Sequence, residues 1–223
     1  EDGQEITVQS DMSLYAVWAK EKYQVIFMPN KATSGSMKDP TYKRNRTYTL
    51  PSNTFKRKGY SFVGWNTQAD GSGTFYEDGQ EVINMTTKSK ITLYAQWKKK
   101  TYTISYDLNK GYFTDATLEN TAYRFDTTGE QPVSRYTVTS ADWSLPKPKR
   151  TGYTFSGWYT NENWTTKVTK ITKGTTGSKT YYARYKANTY DIVYVGYKAS
   201  SGSTKDNTCT YNKACTLSAN GFK

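Results

Sequence analysis

Gly59-Tyr-Ser-Phe-Val-Gly-Trp65 and Gly152-Tyr-Thr-Phe-Ser-Gly-Trp158 are two copies of one stretch, and their reading decides the fold. Around them the same supporting pieces recur in the same order, and self-similarity of this kind marks a tandem series of small units, not one large domain. Upstream of each copy lies a run of alternating bulky residues, Tyr23/Val25/Phe27 in the first and Tyr102/Ile104/Tyr106 in the second; Tyr190/Ile192/Tyr194 supplies a third. Downstream come Leu93-Tyr-Ala-Gln-Trp97 and Tyr181-Tyr-Ala-Arg-Tyr185, and an extra copy stands at Leu14-Tyr-Ala-Val-Trp18. The period is two, so these runs are strands.

The closing strand shows which face is buried. Its first, third and fifth positions share one side and hold Leu14/Ala16/Trp18, Leu93/Ala95/Trp97 and Tyr181/Ala183/Tyr185, while the fourth runs Val17, Gln96, Arg184. A slot that accepts Val, Gln and Arg faces water; one held to apolar and aromatic residues faces the core. Gly64 and Gly157 interrupt an otherwise strand-like run just before a Trp, where glycine marks a bulge or a close backbone approach. The bulge would shift the pleat by one and turn the Trp inward. Core packing is preferred to an aromatic platform for sugar there, because burying a large ring is worth several kcal/mol and small units need it. The predicted core is therefore Trp18, Tyr60, Phe62, Trp65, Trp97, Tyr153, Phe155, Trp158 and Tyr185.

Gly-Tyr-x-Phe-x-Gly-Trp, a Leu-Pro shortly before it (Leu50-Pro51, Leu145-Pro146) and a closing Leu-Tyr-Ala-x-Trp together resemble the Listeria-Bacteroides repeat, also called the internalin B-repeat. The resemblance implies a mainly β module, β-grasp-like and α+β at most, strung in tandem as an extended array on secreted or wall-anchored bacterial proteins. It implies spacers and interaction segments without a known active site, and an extracellular, cell-surface or cell-wall location. The family's Asp-x-Asn-Gly-Gly turn stands here as Met28-Pro-Asn-Lys31, Asp107-Leu-Asn-Lys-Gly111 and Val195-Gly-Tyr-Lys198, and the third closing strand ends in Tyr185 in place of Trp.

On this pattern the chain divides into the C-terminal half of a unit (1–18), full units at 23–97 and 102–185, and the N-terminal half of another (190–223). A chain that starts and stops inside a unit is expected to be a piece of something longer. The second unit carries extra residues between Gly111 and Ser134, with the cluster Asp115, Glu119, Asn120, Asp126 and Glu130. Loops of this length are where binding tends to reside; a surface elaboration is the plainer expectation.

The net charge is +12, much of it in the short connectors Ala19-Lys-Glu-Lys22, Lys98-Lys-Lys-Thr101 and Lys186-Ala-Asn-Thr189. Attraction to a cell-wall polyanion is one reading. Lysines that keep joints and sheet edges soluble are the preferred one. No recognised nucleic-acid-binding fold accompanies the charge, so nucleic acid is not expected, and no apolar run is long enough to insert in a membrane. The absence of histidine removes the commonest general base and metal ligand. The acids sit in polar loop stretches, and Asp107-x-Asn109-x-Gly111 fits a tight turn better than a calcium loop, whose spacing it misses. No catalytic residue, metal site or cofactor is expected.

Aromatics outside the repeated core slots, Trp164, Tyr159 and Trp143, are the candidates for contact with a glycan or a host surface protein. Trp164 leads, because its neighbours are Asn and Thr. Cys209 and Cys215 flank Thr-Tyr-Asn-Lys-Ala; they form either a cross-strand disulfide over a hairpin, or two free thiols.

Overall fold

The computed structural model describes residues 5–13, 15, 21–129 and 131–223. It divides into two units, Glu1–Lys98 and Lys99–Lys223. The closing-strand copy that ends at Trp18 falls outside the described residues, as does Glu130. Residues 5–13 and 15 form no strand and are exposed.

The first unit contains β1 (Lys22–Met28), β2 (Thr41–Lys43), β3 (Tyr48–Thr49), β4 (Tyr60–Asn66), β5 (Phe75–Tyr76), β6 (Glu81–Val82) and β7 (Lys90–Lys99). Five of them make one sheet in the order β2-β1-β7-β4-β5, and β3 pairs with β6 beside it. β1 and β7 are parallel, with Phe27 opposite Leu93; β2 and β5 are antiparallel to their neighbours. Parallel strands need a long crossover, which here is everything from β2 to β6. The module is thus entered at one end of its central strand pair and left at the other. Alternation does the rest: Tyr23, Val25 and Phe27 from β1 and Leu93 and Ala95 from β7 lie buried together.

The second unit repeats this plan. Its strands are β8 (Tyr102–Asp107), β9 (Phe125–Asp126), β10 (Val133–Tyr136), β11 (Trp143–Ser144), β12 (Tyr153–Tyr159), β13 (Lys167–Val168), β14 (Lys170–Ile171) and β15 (Lys179–Ala187). The sheet runs β13-β12-β15-β8-β10-β9, with β8 and β15 parallel and β11 paired to β14 at the side. Strand for strand this is the first sheet with one addition, β9, which the insertion contributes at the edge. The protein is therefore nearly all β, in small tandem modules; the one α-helix among the described residues, α1 (Asp115–Leu118), is a single turn.

The insertion enlarges the core. Phe113 packs on Phe125 at 5.0 Å between ring centroids and on Tyr106 at 5.4 Å. Its polar residues close their own turns: the Thr114 side chain caps α1, Asn120 accepts from Ala122 N–H, and Asp126 accepts from Thr128 and pairs with Arg135.

Gly64 and Gly157 take φ of +152° and +143°. In the second module, Phe155 faces Tyr185 and Gly157 faces Arg184, so Ser156 is the extra residue of a bulge. Tyr153 and Phe155 obey period two, and Trp158, three positions on, returns to the same face only because of that insertion. The ring of Phe155 meets Trp158 at 5.5 Å, and Phe62 meets Trp65 at 5.0 Å. Trp65 is 0% and Trp158 2% exposed. Tyr60, Phe62, Trp97, Tyr153, Phe155 and Tyr185 are half-buried at the margins of the two cores. A repeated contact holds the entrance of each bulged strand: Arg57 lies 3.7 Å over the Tyr60 ring and Arg150 lies 4.0 Å over Tyr153.

The turns after β1 and β8 carry Asn-Lys pairs with positive φ at both residues, Asn30/Lys31 and Asn109/Lys110. Asparagine tolerates this conformation and adds a tie: Asn30 Nδ2 donates to Ala95 O at 2.8 Å and Asn109 Nδ2 to Ala183 O at 3.3 Å. Asp107 serves this turn, accepting from Asn109 N–H at 2.8 Å. Among the described residues no group of acids, cysteines or histidines could hold a metal ion.

Beyond β15, β16 (Thr189–Ile192) pairs antiparallel with β17 (Asn207–Thr210). Cys209 and Cys215 are disulfide-bonded, with Cα atoms 5.6 Å apart, across a turn in which Asn212 has φ +55°. Tyr211 from this turn packs edge-on against Tyr153 at 5.5 Å, and its N–H donates to Asn188 O.

Candidate ligand-binding site

The loop between β12 and β13 carries Trp164. It is closed by Thr160 N–H donating to Thr166 O (3.0 Å) and Trp164 N–H to Asn161 O (3.1 Å), and the Asn161 side chain bonds Thr165 through both its amide nitrogen and its oxygen. The first module closes its loop in the same way, with Thr67 N–H on Thr74 O and Gly71 N–H on Gln68 O. Superposing the two patterns puts Trp164 (φ +53°) in the slot of Gly71 (φ +85°). Glycine is the residue for which a left-handed slot is free of penalty; a bulky side chain there is an outlier that costs about 1–2 kcal/mol.

Two neighbours differ in concert. Gln96, whose Nε2 supports the first loop through Gln68 O (3.2 Å), corresponds to Arg184, whose guanidinium lies 5.2 Å over the Trp164 ring and 5.9 Å from Tyr159. Asn66, buried and bonded to Gly71 and Gly73, corresponds to Tyr159, which is half-buried. Three positions thus convert a loop sealed by amides into an aromatic pair resting on a cation. Trp164 keeps 37% of its surface exposed.

Beside it opens a cleft of about 190 Å³, lined by Asp107, Asn109, Glu162, Trp164, Tyr182 and Ala183. Asp107 has one carboxylate oxygen in the Asn109 turn, and Glu162 has no hydrogen-bond or ion-pair partner among the described residues; both acids are exposed. A larger hollow of about 530 Å³ lies at the bulge of β12, where the edges of Phe155 and Trp158 meet Lys147 and Lys167; no carboxylate or amide side chain lines it.

Trp143 is not part of this site. Expected outside the core, it is 8% exposed, because the short β11–β14 pair sets it opposite Ile171 within the core cluster, against Tyr136 (5.7 Å) and with Arg124 over its ring. Trp164 and Tyr159 come together, and Arg184 joins them. The sequence held a signal for Arg184 in the variable fourth slot of the closing strand, where a charge merely marked the solvent side.

A family search matches the Listeria-Bacteroides repeat domain twice, over residues 23–96 and 102–184. The chain belongs to the Listeria-Bacteroides repeat family. A protein of Evansella cellulosilytica named provisionally as a Gly-rich membrane protein is 31% identical over 191 residues, 83% of this chain and 19% of that protein. A second from the same organism, named provisionally as a membrane protein, is 25% identical over 97% of this chain and 30% of its own length. Internalin H of Listeria monocytogenes is 29% identical over 133 residues, 59% of this chain and 20% of the internalin. The chain thus spans less than a third of the length of each of these relatives. No solved structure matches the chain.

Proposed function

We propose that this chain is a non-catalytic repeat region of a bacterial surface or secreted protein, acting as a stalk or spacer with a part in adhesion. The observation that carries the reading is what the two modules share. Repetition preserves packing positions, namely the bulge glycines, the inward Trp and the Asn tie to the closing strand, and it preserves no reactive group. The strand order, with first and last strands parallel at the centre, supports a β-grasp-like description of each module. It also suits a mechanical role, because pulling on a module's two ends loads the whole β1–β7 or β8–β15 ladder in shear. The names of the relatives support display at the cell envelope, and the Cys209–Cys215 disulfide agrees with an oxidising compartment. Among the described residues no helix is long and apolar enough to cross a membrane.

Single-molecule stretching of the chain between inert handles tests the spacer. Two resisted unfolding events are expected, each releasing about 3.3–3.6 Å per residue of one module. Extension without a resisted event overturns the reading. A second reading, contact with a glycan or host surface protein through exposed aromatics, is favoured by the cleft beside Trp164. The net charge of +12 is compatible with attraction to wall polyanions.

A further inference from the structure

The Trp164 slot can hold glycine without loss, as Gly71 demonstrates in the sister loop, yet here it holds the largest side chain. A residue kept in a conformation it disfavours points to a use for that side chain. The ring is no filler of the core, since it is more than a third exposed. Its support is specific, because Arg184 replaces the glutamine that served the other loop.

We propose that the cleft beside Trp164 binds one neutral pyranose residue of a glycan. This rests on the reading of the chain as a surface-displayed adhesive region and names the ligand class of that region. The size decides first: at about 190 Å³ the cleft is smaller than the roughly 300–1,000 Å³ of pockets for larger organic ligands, so it admits a single ring. Chemistry decides next. A pyranose offers a face of C–H groups and a rim of hydroxyls. Indole meets such a face by dispersion and by its negative quadrupole, and Arg184 steadies the ring without itself lining the cleft. The hydroxyls donate to the unengaged Glu162 carboxylate and to the oxygen of Asp107 that the turn leaves over. Both carboxylates are exposed, so the sugar hydroxyls take the place of water there at small net gain, and the indole face supplies most of the attraction. The same two carboxylates repel acidic sugars, which sets this cleft apart from the lysine-rich connectors.

The test is a titration of the whole chain with methyl glucopyranoside, methyl galactopyranoside and methyl mannopyranoside, followed through the Trp164 indole N–H resonance. At least one of the three should shift that resonance saturably, with a dissociation constant on the order of 1 mM. Trp164→Gly should abolish binding while keeping the fold, and Glu162→Gln, which touches no core residue, should weaken it several-fold. The proposal falls if none of the three moves the resonance, if binding survives Trp164→Gly, or if only methyl glucuronoside or inorganic phosphate binds, which would make Arg184 an anion site. Failure here with two resisted unfolding events intact removes the cleft and leaves the spacer; the reverse removes the spacer.

Discussion

Replacing Gly64 and Gly157 by alanine, one at a time, asks whether the bulge that turns each core tryptophan inward works alike in both modules. Both glycines have positive φ, so alanine incurs a shared backbone strain of about 1–3 kcal/mol, reduced by about 0.4–1 kcal/mol because alanine loses less freedom on folding. The surroundings then separate them. A Cβ on Gly157 would lie 2.4 Å from Lys167 Cε, the far part of a flexible chain that can swing away. On Gly64 it would lie 2.4 Å from Phe75 Cζ and 2.8 Å from the backbone oxygen of Tyr76, and Tyr76 is the ladder partner of Trp65. β5 must therefore move, adding an overpacking cost of about 1–3 kcal/mol. Gly157→Ala should cost about 1–2 kcal/mol and Gly64→Ala about 3 kcal/mol, a large share of what a domain this small possesses. Melting followed through the indole resonances of Trp65 and Trp158 reads each module separately in one chain, and each kcal/mol lowers the midpoint by about 4–8 °C. Equal losses, or a larger loss for Gly157→Ala, would refute the reasoning.

The two core tryptophans should also part company. Trp158 Nε1 donates to Pro146 O at 2.7 Å, whereas Trp65 Nε1 is buried without a partner among the described residues; Trp158→Phe should therefore destabilise by about 1–2 kcal/mol more than Trp65→Phe in denaturant titrations. Reducing Cys209–Cys215 closes off the loop-entropy gain of a short ring, about 2 kcal/mol, and should speed exchange of the amides of β16 and β17 while leaving those of β1 and β7 unchanged. Alkali should unfold the second module. Burial, with Tyr181 and Tyr102 alongside, pushes the Tyr136 phenol up to about 12, and burial, partly offset by Arg150, raises Tyr185 to about 12 as well. The neutral phenols are the folded forms, so their contribution is complete below about pH 10, the unfolded value, and is lost as pH rises toward 12. Circular dichroism that stays flat across that window while tyrosinate absorbance appears would contradict this.

What the sequence disclosed followed from periodicity. Tyr23, Val25 and Phe27 declare their face by alternation, and the spacing from Phe155 to Trp158 declares a bulge because residues three positions apart cannot share a face of a regular strand. Trp143 gave no such sign: β11 is two residues long, too short for a period, so only its pairing with Ile171 reveals that it is covered. Phe113 and Phe125 sit in a stretch without a counterpart in the first module, which hid their contribution to the core. Arg57-x-Gly-Tyr60 and Arg150-x-Gly-Tyr153 repeat in plain view, yet a stacked guanidinium reads as ordinary surface charge until the ring beneath it is seen. Trp164 could be proposed from its polar neighbours; its left-handed backbone and its equivalence to Gly71 needed the hydrogen bonds, because the two loops differ in length.

The central strand pair of each module has a temporal consequence. Its register couples Gln24 with Lys90, and Ile104 with Lys179, so the strand that leaves the ribosome first must wait for the one that leaves last. Such long-range pairing folds slowly, and each module stays unfinished until almost all of it has emerged. A chain of these repeats would therefore mature in discrete whole-module steps, with the newest unit incomplete until its closing strand has been made.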